Sequence, residues 1–270
     1  CGGVLIDEDG GLDAAGRRFR LEKKRVPQLA DSEIFLAPSV FDPSHGTSEV
    51  MMHWISSIAL SKGWIRGKRV LDYGCGSGVL GICALQNGAK SVTAVDLNRS
   101  ALALTCANAK VLGVHDRIEV CFPPFQGLEK DFDDFFDDFE DVWRQAAANA
   151  GADDVPSLSL DADAARFECV IVNMRKNALL RSAPKLARLC LPGAVVAVSG
   201  FMVDFEEAAV LKAFRQAGFD FRVDLDAVSP ADVGDFCKRA GYGLFWGHAR
   251  AEVEATRVSN CEIRPSSDLA

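Results

Sequence analysis

Residues 70–96 read VLDYGCGSGVLGICALQNGAKSVTAVD, and the fold follows from this stretch. Val70 to Tyr73 is a short apolar strand behind Gly67. Five residues, Gly74-Cys75-Gly76-Ser77-Gly78, then turn the chain, because glycine reaches backbone conformations that side chains forbid. Val79 to Asn87 has helical character and stops at Gly88. Ser91 to Asp96 is a second apolar strand. Strand, helix, strand with continuously apolar strands is a parallel unit buried on both faces.

The same alternation continues outward. Asn98 can cap a helix running to Leu112, with Gly113 as its stop. Arg117–Cys121 is a third strand and Glu168–Asn173 a fourth. Helical sequence follows to about Cys190, with Pro184 expected to open a new turn, and Pro192-Gly193 is expected to turn the chain. Ala194–Ser199 is a fifth strand, Asp204–Ala217 a helix, and Phe219–Leu225 and Tyr242–Trp246 the last two strands. The link between those two is not a simple helix, which predicts a reversed last strand. Upstream, Met51, Trp54, Ile55 and Ile58 recur at helical spacing, so a helix capped by Thr47 or Ser48 should run to Leu60. The expected architecture is a three-layer, seven-stranded, mostly parallel sheet with helices on both faces. Residues 1–40 read as an N-terminal extension with two or three short strands, 41–250 as the main domain, and 251–270 as a tail.

Residues 122–166 interrupt this pattern. Phe132, Phe135, Phe136, Phe139 and Trp143 step by three and four, as on one face of an amphipathic helix. Eight acids and one lysine lie between Glu129 and Asp141, nearly the whole of the chain's net charge of −8. That segment is either a helix with its acids in solvent or a docking surface for a basic protein. No basic footprint for nucleic acid is visible elsewhere. No apolar run is long enough to span a bilayer and no secretory signal is seen. Nine scattered cysteines without a C-x-x-C pair fit a reducing compartment, cytoplasmic or organellar, and no metal site is expected. The chain starts at Cys1, so an upstream domain or targeting segment could precede it.

The glycine turn carries the chemistry. In an open parallel sheet, ligands sit beyond the carboxyl ends of the strands, where this turn lies. Gly76-Ser77-Gly78-Val79-Leu80-Gly81 also satisfies the G-x-G-x-x-G dinucleotide fingerprint, so a nicotinamide cofactor is one reading. Asp72 favours another. A carboxylate just before the glycines suits a cationic amino acid moiety and would repel a pyrophosphate. Asp96, ending the second strand, can take a ribose diol in either case.

With Asp72, the glycines and Asp96 in place, the stretch 70–114 resembles the first half of the class I S-adenosylmethionine (SAM)-dependent methyltransferases, whose fold is Rossmann-like. It is most similar to the PrmA-type ribosomal protein methyltransferases, which modify amino groups of a large-subunit ribosomal protein. Asn173-Met174-Arg175 resembles that family's Asn-Ile-Leu step, KLARLCLPGAVVAVSGF its later helix, Pro-Gly turn and strand, and FLAPSVFDPSHGTSEVMMHWI its entry loop and helix. The resemblance covers roughly residues 34–121 and 167–225. It implies a SAM site built from Asp72, Gly74, Cys75, Gly76, Gly78, Asp96 and Leu97, with Thr47 and Phe41 added from the entry loop. Asn173 would orient the acceptor amine, and the acceptor would be a lysine or N-terminal amine of a protein. A small-molecule acceptor and a non-catalytic partner-binding module are the alternatives. The entry loop lacks the family's fuller Gly-Thr-Gly-Thr-His run, and Phe122 stands where the family carries an acidic adenine contact.

Overall fold

The computed structural model describes residues 11–12, 18–19, 21–37, 40, 42–43, 46–123, 167–222 and 242–250. Phe41, His45, nearly all of the acidic insertion and the tail lie outside them. Two short strands, β1 (Gly11–Leu12) and β2 (Arg18–Phe19), pair antiparallel, and so do β3 (Glu22–Val26) and β4 (Ser32–Leu36). Four strands thus stand where two or three were expected. Lys23, Lys24 and Arg25 hide the alternation in β3, where only Val26 is buried.

Seven strands build the main sheet: β5 (Arg69–Tyr73), β6 (Ser91–Val95), β7 (Ile118–Cys121), β8 (Phe167–Asn173), β9 (Cys190–Met202), β10 (Phe219–Arg222) and β11 (Tyr242–Ala249). Their spatial order is β10-β11-β9-β8-β5-β6-β7. The first five in sequence are mutually parallel, and β11 runs antiparallel to both β9 and β10. This is the seven-stranded sheet with one reversed strand that the sequence predicts.

Helices cover both faces. They are α1 (Thr47–Trp54), which runs on into a π-helical turn at Ile55–Ala59, α2 (Val79–Gln86), α3 (Arg99–Val111), α4 (Lys176–Leu189) and α5 (Val203–Gln216). One core lies under α1, α2, α3 and the β3–β4 hairpin, and joins Val26, Leu29, Ile34 and Trp54 to Val70, Ile82 and Leu102. The other lies under α4 and α5, around Leu71, Val172, Leu186, Phe201 and Phe214. Sheet residues alternate between the two, so β5 sends Val70 to one core and Leu71 to the other.

Three local expectations change. Gly46, at φ 72°, caps α1, so neither Thr47 nor Ser48 caps with its side chain and both are buried inside the first turn. Helix α4 passes through Pro184 unbroken, because Leu179, Ala183, Leu186 and Leu189 keep one buried stripe against the sheet. Pro192-Gly193 lies within the span of β9 as an exposed bulge between the Phe167↔Cys190 and Cys169↔Val195 pairs. Asn98 does cap α3, accepting from the Ser100 N–H at 2.9 Å.

Candidate functional site

Register brings the site together. Tyr73, the last residue of β5, pairs with Val95 of β6 on one side and Val172 of β8 on the other. The next residue on each chain is Gly74, Asp96 and Asn173. The glycine turn therefore opens between Asp96 and Asn173, on strands about 10 Å apart across β5. All three stand at the carboxyl ends of parallel strands.

The turn is held from both flanks. The Gly74 and Cys75 N–H groups donate to the Val95 carbonyl at 2.7 and 3.0 Å. The Gly76 N–H donates to Asp96 Oδ2 at 2.9 Å. These three donors point at β6, not outward as a pyrophosphate cradle would need. Gly78 is left-handed (φ 80°) and caps α2, and a Cβ there would meet Thr105 Cγ2 at 2.7 Å. A Cβ on Gly74 would meet the Met174 side chain at 2.6 Å. The turn is thus wedged between α3 and the chain leaving β8.

Two buried residues of α3 complete this support, and sequence reading missed both. Thr105 Oγ1 donates to the Gly76 carbonyl at 3.1 Å and lies 3.4 Å from Cys75 Sγ. Asn108 gives Nδ2 to the Ser77 carbonyl at 2.9 Å and to the Phe35 carbonyl at 3.1 Å, while Oδ1 accepts from the Phe35 N–H at 2.7 Å. One side chain so ties the glycine turn to β4. Its signal in the sequence is a polar pair, Thr105 and Asn108, on the buried stripe of α3 that also holds Leu102 and Ala109.

Asp72 is fully buried beneath the turn. Its Oδ2 accepts from the Gly81 N–H at 2.8 Å, in the first turn of α2 just past the glycines, and Oδ1 has no partner among the described residues. Burial pushes its carboxyl up to about 7, opposed by the Gly81 N–H and reinforced by the charge of Asp96. Burial also raises the Asp96 carboxyl, against the pull of the Asn98 and Gly76 N–H groups. Both oxygens of Asp96 accept backbone N–H bonds, Oδ2 from Gly76 at 2.9 Å and Oδ1 from Asn98 at 2.8 Å, so the unpartnered oxygen among the described residues of this pair is Asp72 Oδ1. Leu97 is exposed beside Asp96, Thr47 is buried in α1, and Phe122 packs partly buried beyond β7.

On the other flank, Asn173 Nδ2 donates to Ser48 Oγ of α1 at 3.0 Å. The Met174 N–H donates to the Ser199 carbonyl of β9 at 3.2 Å, which fixes the chain just past Asn173. Among the described residues no group of histidines, cysteines and acids could hold a metal ion, and no helix is long and apolar enough to cross a membrane.

Residues 43–135 match the family model described as ribosomal protein L11 methyltransferase, PrmA. Over these residues the chain is similar to the PrmA-type methyltransferases. The ribosomal protein L11 methyltransferase of Hahella chejuensis is 33% identical over 172 residues, which are 64% of this chain and 44% of that protein. Its counterpart in Shewanella halifaxensis is 28% identical over 220 residues, 81% of this chain and 59% of the relative. The chain thus spans about half the length of the PrmA proteins it matches. The solved structure of yhhF from Escherichia coli, named for a methyltransferase, superposes with a TM-score of 0.52 at 14% identity. That superposition takes in 86% of this chain and all of the yhhF chain, and so shows the shared fold. The PrmA-type match runs from the entry loop through the glycine turn, Asp96 and Asn108, the residues that geometry brings together on the β6 side.

Proposed function

We propose that this chain is a SAM-dependent methyltransferase acting on an amino group of a protein, a lysine side chain or an N-terminal amine. The observation that carries the reading is the register that lines up Asp96, the glycine turn and Asn173 on β6, β5 and β8. The fit to SAM rests on the electrostatics. Two carboxyls behind one turn, Asp72 with an oxygen unpartnered, suit a cationic ligand better than an anionic one, and the turn spends the Gly74, Cys75 and Gly76 donors internally, which argues against a dinucleotide.

In this reading Asp96 takes the ribose diol, with Leu97 beside it and Thr47 of α1 as a further cofactor contact. Asp72 lies too deep for direct contact and acts through the field it sets behind the turn. The bound cofactor supplies a methyl group already activated on a sulfonium. With it bound, the amine lone pair would form the N–C bond as the C–S pair returned to sulfur, and the resulting ammonium would release its proton to solvent. The chain's task is alignment and exclusion of water, for which it needs no nucleophile of its own. The amine must arrive neutral, and the Asn173 amide oxygen would hold one of its N–H groups. The relatives are ribosomal protein L11 methyltransferases by name, which supports a protein acceptor. The acidic run 129–141 supports a basic one.

Calorimetric titration tests the cofactor. S-adenosylhomocysteine should bind, Asp96→Ala should weaken it at least tenfold, and NADH should not bind. Binding of NADH alone would replace this reading with an oxidoreductase. Labelled methyl transfer to recombinant ribosomal protein L11 tests the acceptor, and deleting 129–141 should raise KM while sparing the S-adenosylhomocysteine affinity.

A further inference from the structure

We infer that Ser48 is a positioning residue, whose hydroxyl takes an N–H of the Asn173 amide and so turns the amide oxygen toward the acceptor amine. The inference rests on the amine methyltransferase reading and adds a residue to it. The bond is 3.0 Å and joins residues 125 apart in sequence. Its two ends sit on firm supports. Asn173 is the last residue of β8, paired with Ser199 of β9. Ser48 lies in the first turn of α1 and is 4% exposed, and Val50, Met51, Met52 and Trp54 of the same helix are all buried in the core.

The chemistry makes the direction of the amide matter. A neutral amine attacks through its lone pair, so its N–H groups must find acceptors and the lone pair must meet none but the methyl carbon. The two ends of an asparagine amide are nearly equal in size, and one is a donor while the other is an acceptor. Turned one way, Asn173 holds an amine N–H. Turned the other, its NH2 group donates to the lone pair and blocks attack. Packing alone cannot choose between these, because the shapes match. With Nδ2 engaged by Ser48 Oγ, the end left for the substrate is Oδ1. This also gives α1 a part in the reaction, through Ser48 on the amide.

A hydroxyl can serve either end of an amide, so the nitrogen's own resonance is the direct readout. In the 15N-labelled full chain, the Asn173 side-chain NH2 signals are assigned by their absence in Asn173→Ala. Ser48→Ala should shift them and speed their exchange with water, and Ser48→Thr should restore both. In methyl transfer to recombinant ribosomal protein L11, Ser48→Ala should lower kcat about tenfold, the worth of one oriented hydrogen bond. The dissociation constant for S-adenosylhomocysteine and the melting temperature should stay near wild type, and Ser48→Thr should recover kcat. Unmoved NH2 signals overturn the proposal. So does an unchanged kcat, or a loss of cofactor affinity and melting temperature in proportion to kcat, which marks a purely structural contact. A wild-type chain that binds S-adenosylhomocysteine but methylates no protein sinks the acceptor assignment and leaves the amide measurement to decide Ser48 separately.

Discussion

The two ends of the parallel sheet are built on opposite principles. At the carboxyl end, Asp72 is buried with one oxygen unpartnered, Asp96 lies beside it, and burial raises both carboxyls. At the amino end, Glu168 accepts from the Arg69 N–H at 2.9 Å, with Lys68 and Arg69 within 4 Å, and these partners lower its carboxyl. Two of the three glycines of the turn differ from Gly193, while a Cβ on Gly76 between them would meet only Val40 Cγ1, at 3.7 Å. Gly74 and Gly78 at the upper end leave no room for a Cβ, whereas Gly193 at the lower end (φ 78°) has nothing within 4 Å of that position. The lower end satisfies its groups and tolerates change. The upper end holds a buried carboxyl with one oxygen unpartnered beneath a tight turn, as a site does when a ligand is to complete it.

Substitution of glycine tests this contrast with the largest effect. Gly78→Ala adds a methyl 2.7 Å from Thr105 Cγ2 at a left-handed residue. It should abolish measurable S-adenosylhomocysteine binding and destabilise the fold by about 2–3 kcal/mol, strain and overpacking together. Gly193→Ala meets only the conformational strain, about 1 kcal/mol, and should leave binding unchanged. Denaturant unfolding and calorimetry of the two variants side by side make the comparison. Equal binding in both would mean that the turn is not a cofactor site.

Titration is the next test. The Asp72 carboxyl has a higher affinity for protons folded than unfolded, because its value rises from 3.8 to about 7. A raised value stabilises the fold at low pH and loses that contribution as pH climbs. Between about pH 4 and 7 Asp72 should therefore cost up to about 1.4 kcal/mol of stability per pH unit. Asp72→Asn keeps an oxygen for the Gly81 N–H and removes the titration, so its stability curve should be flatter over that window. Saturating S-adenosylmethionine should flatten the wild-type curve too, since a cation nearby favours the ionised acid. Chemical denaturation at several pH values reads all three. A wild-type slope equal to that of Asp72→Asn would show Asp72 titrating as an ordinary acid.

What the sequence shows of this architecture is what is local. The strands β5 and β6, the turn between them and the Asn98 cap each lie within a few residues of their cause. Asp96 and Asn173 are recognisable because parallel strands end where ligands bind. The supports of the site are not local. Asn108 meets Phe35 across 73 positions, and Ser48 meets Asn173 across 125. Periodicity marks Thr105 and Asn108 as polar residues on a buried face but does not name their partners. Ser48 invites reading as a cap, because serine before an apolar stripe is a common helix start. Gly46 takes that role at φ 72°, a conformation serine would resist, and so frees the serine for the amide.

The smallest effect is expected at the amino end, and its sign is the reverse of that at Asp72. The Glu168 carboxyl is lowered, first by the Arg69 N–H and then by Lys68 and Arg69. A lowered value gives stability that is present above the unfolded value of 4.5 and fades as pH falls through the folded one. Its side chain is 30% exposed, so solvent screens the pairs and they contribute at most about 1 kcal/mol. Glu168→Gln should therefore cost that much or less at pH 7, progressively less as pH falls below 4.5 and through the folded value, and nothing in cofactor affinity at any pH. Salt at 1 M should erase most of the difference, because screened surface pairs depend on ionic strength and buried carboxyls do not. A salt-insensitive loss larger than the change in Asp72→Asn would mean that the amino end, too, stores charge, and the division between the two ends would fall.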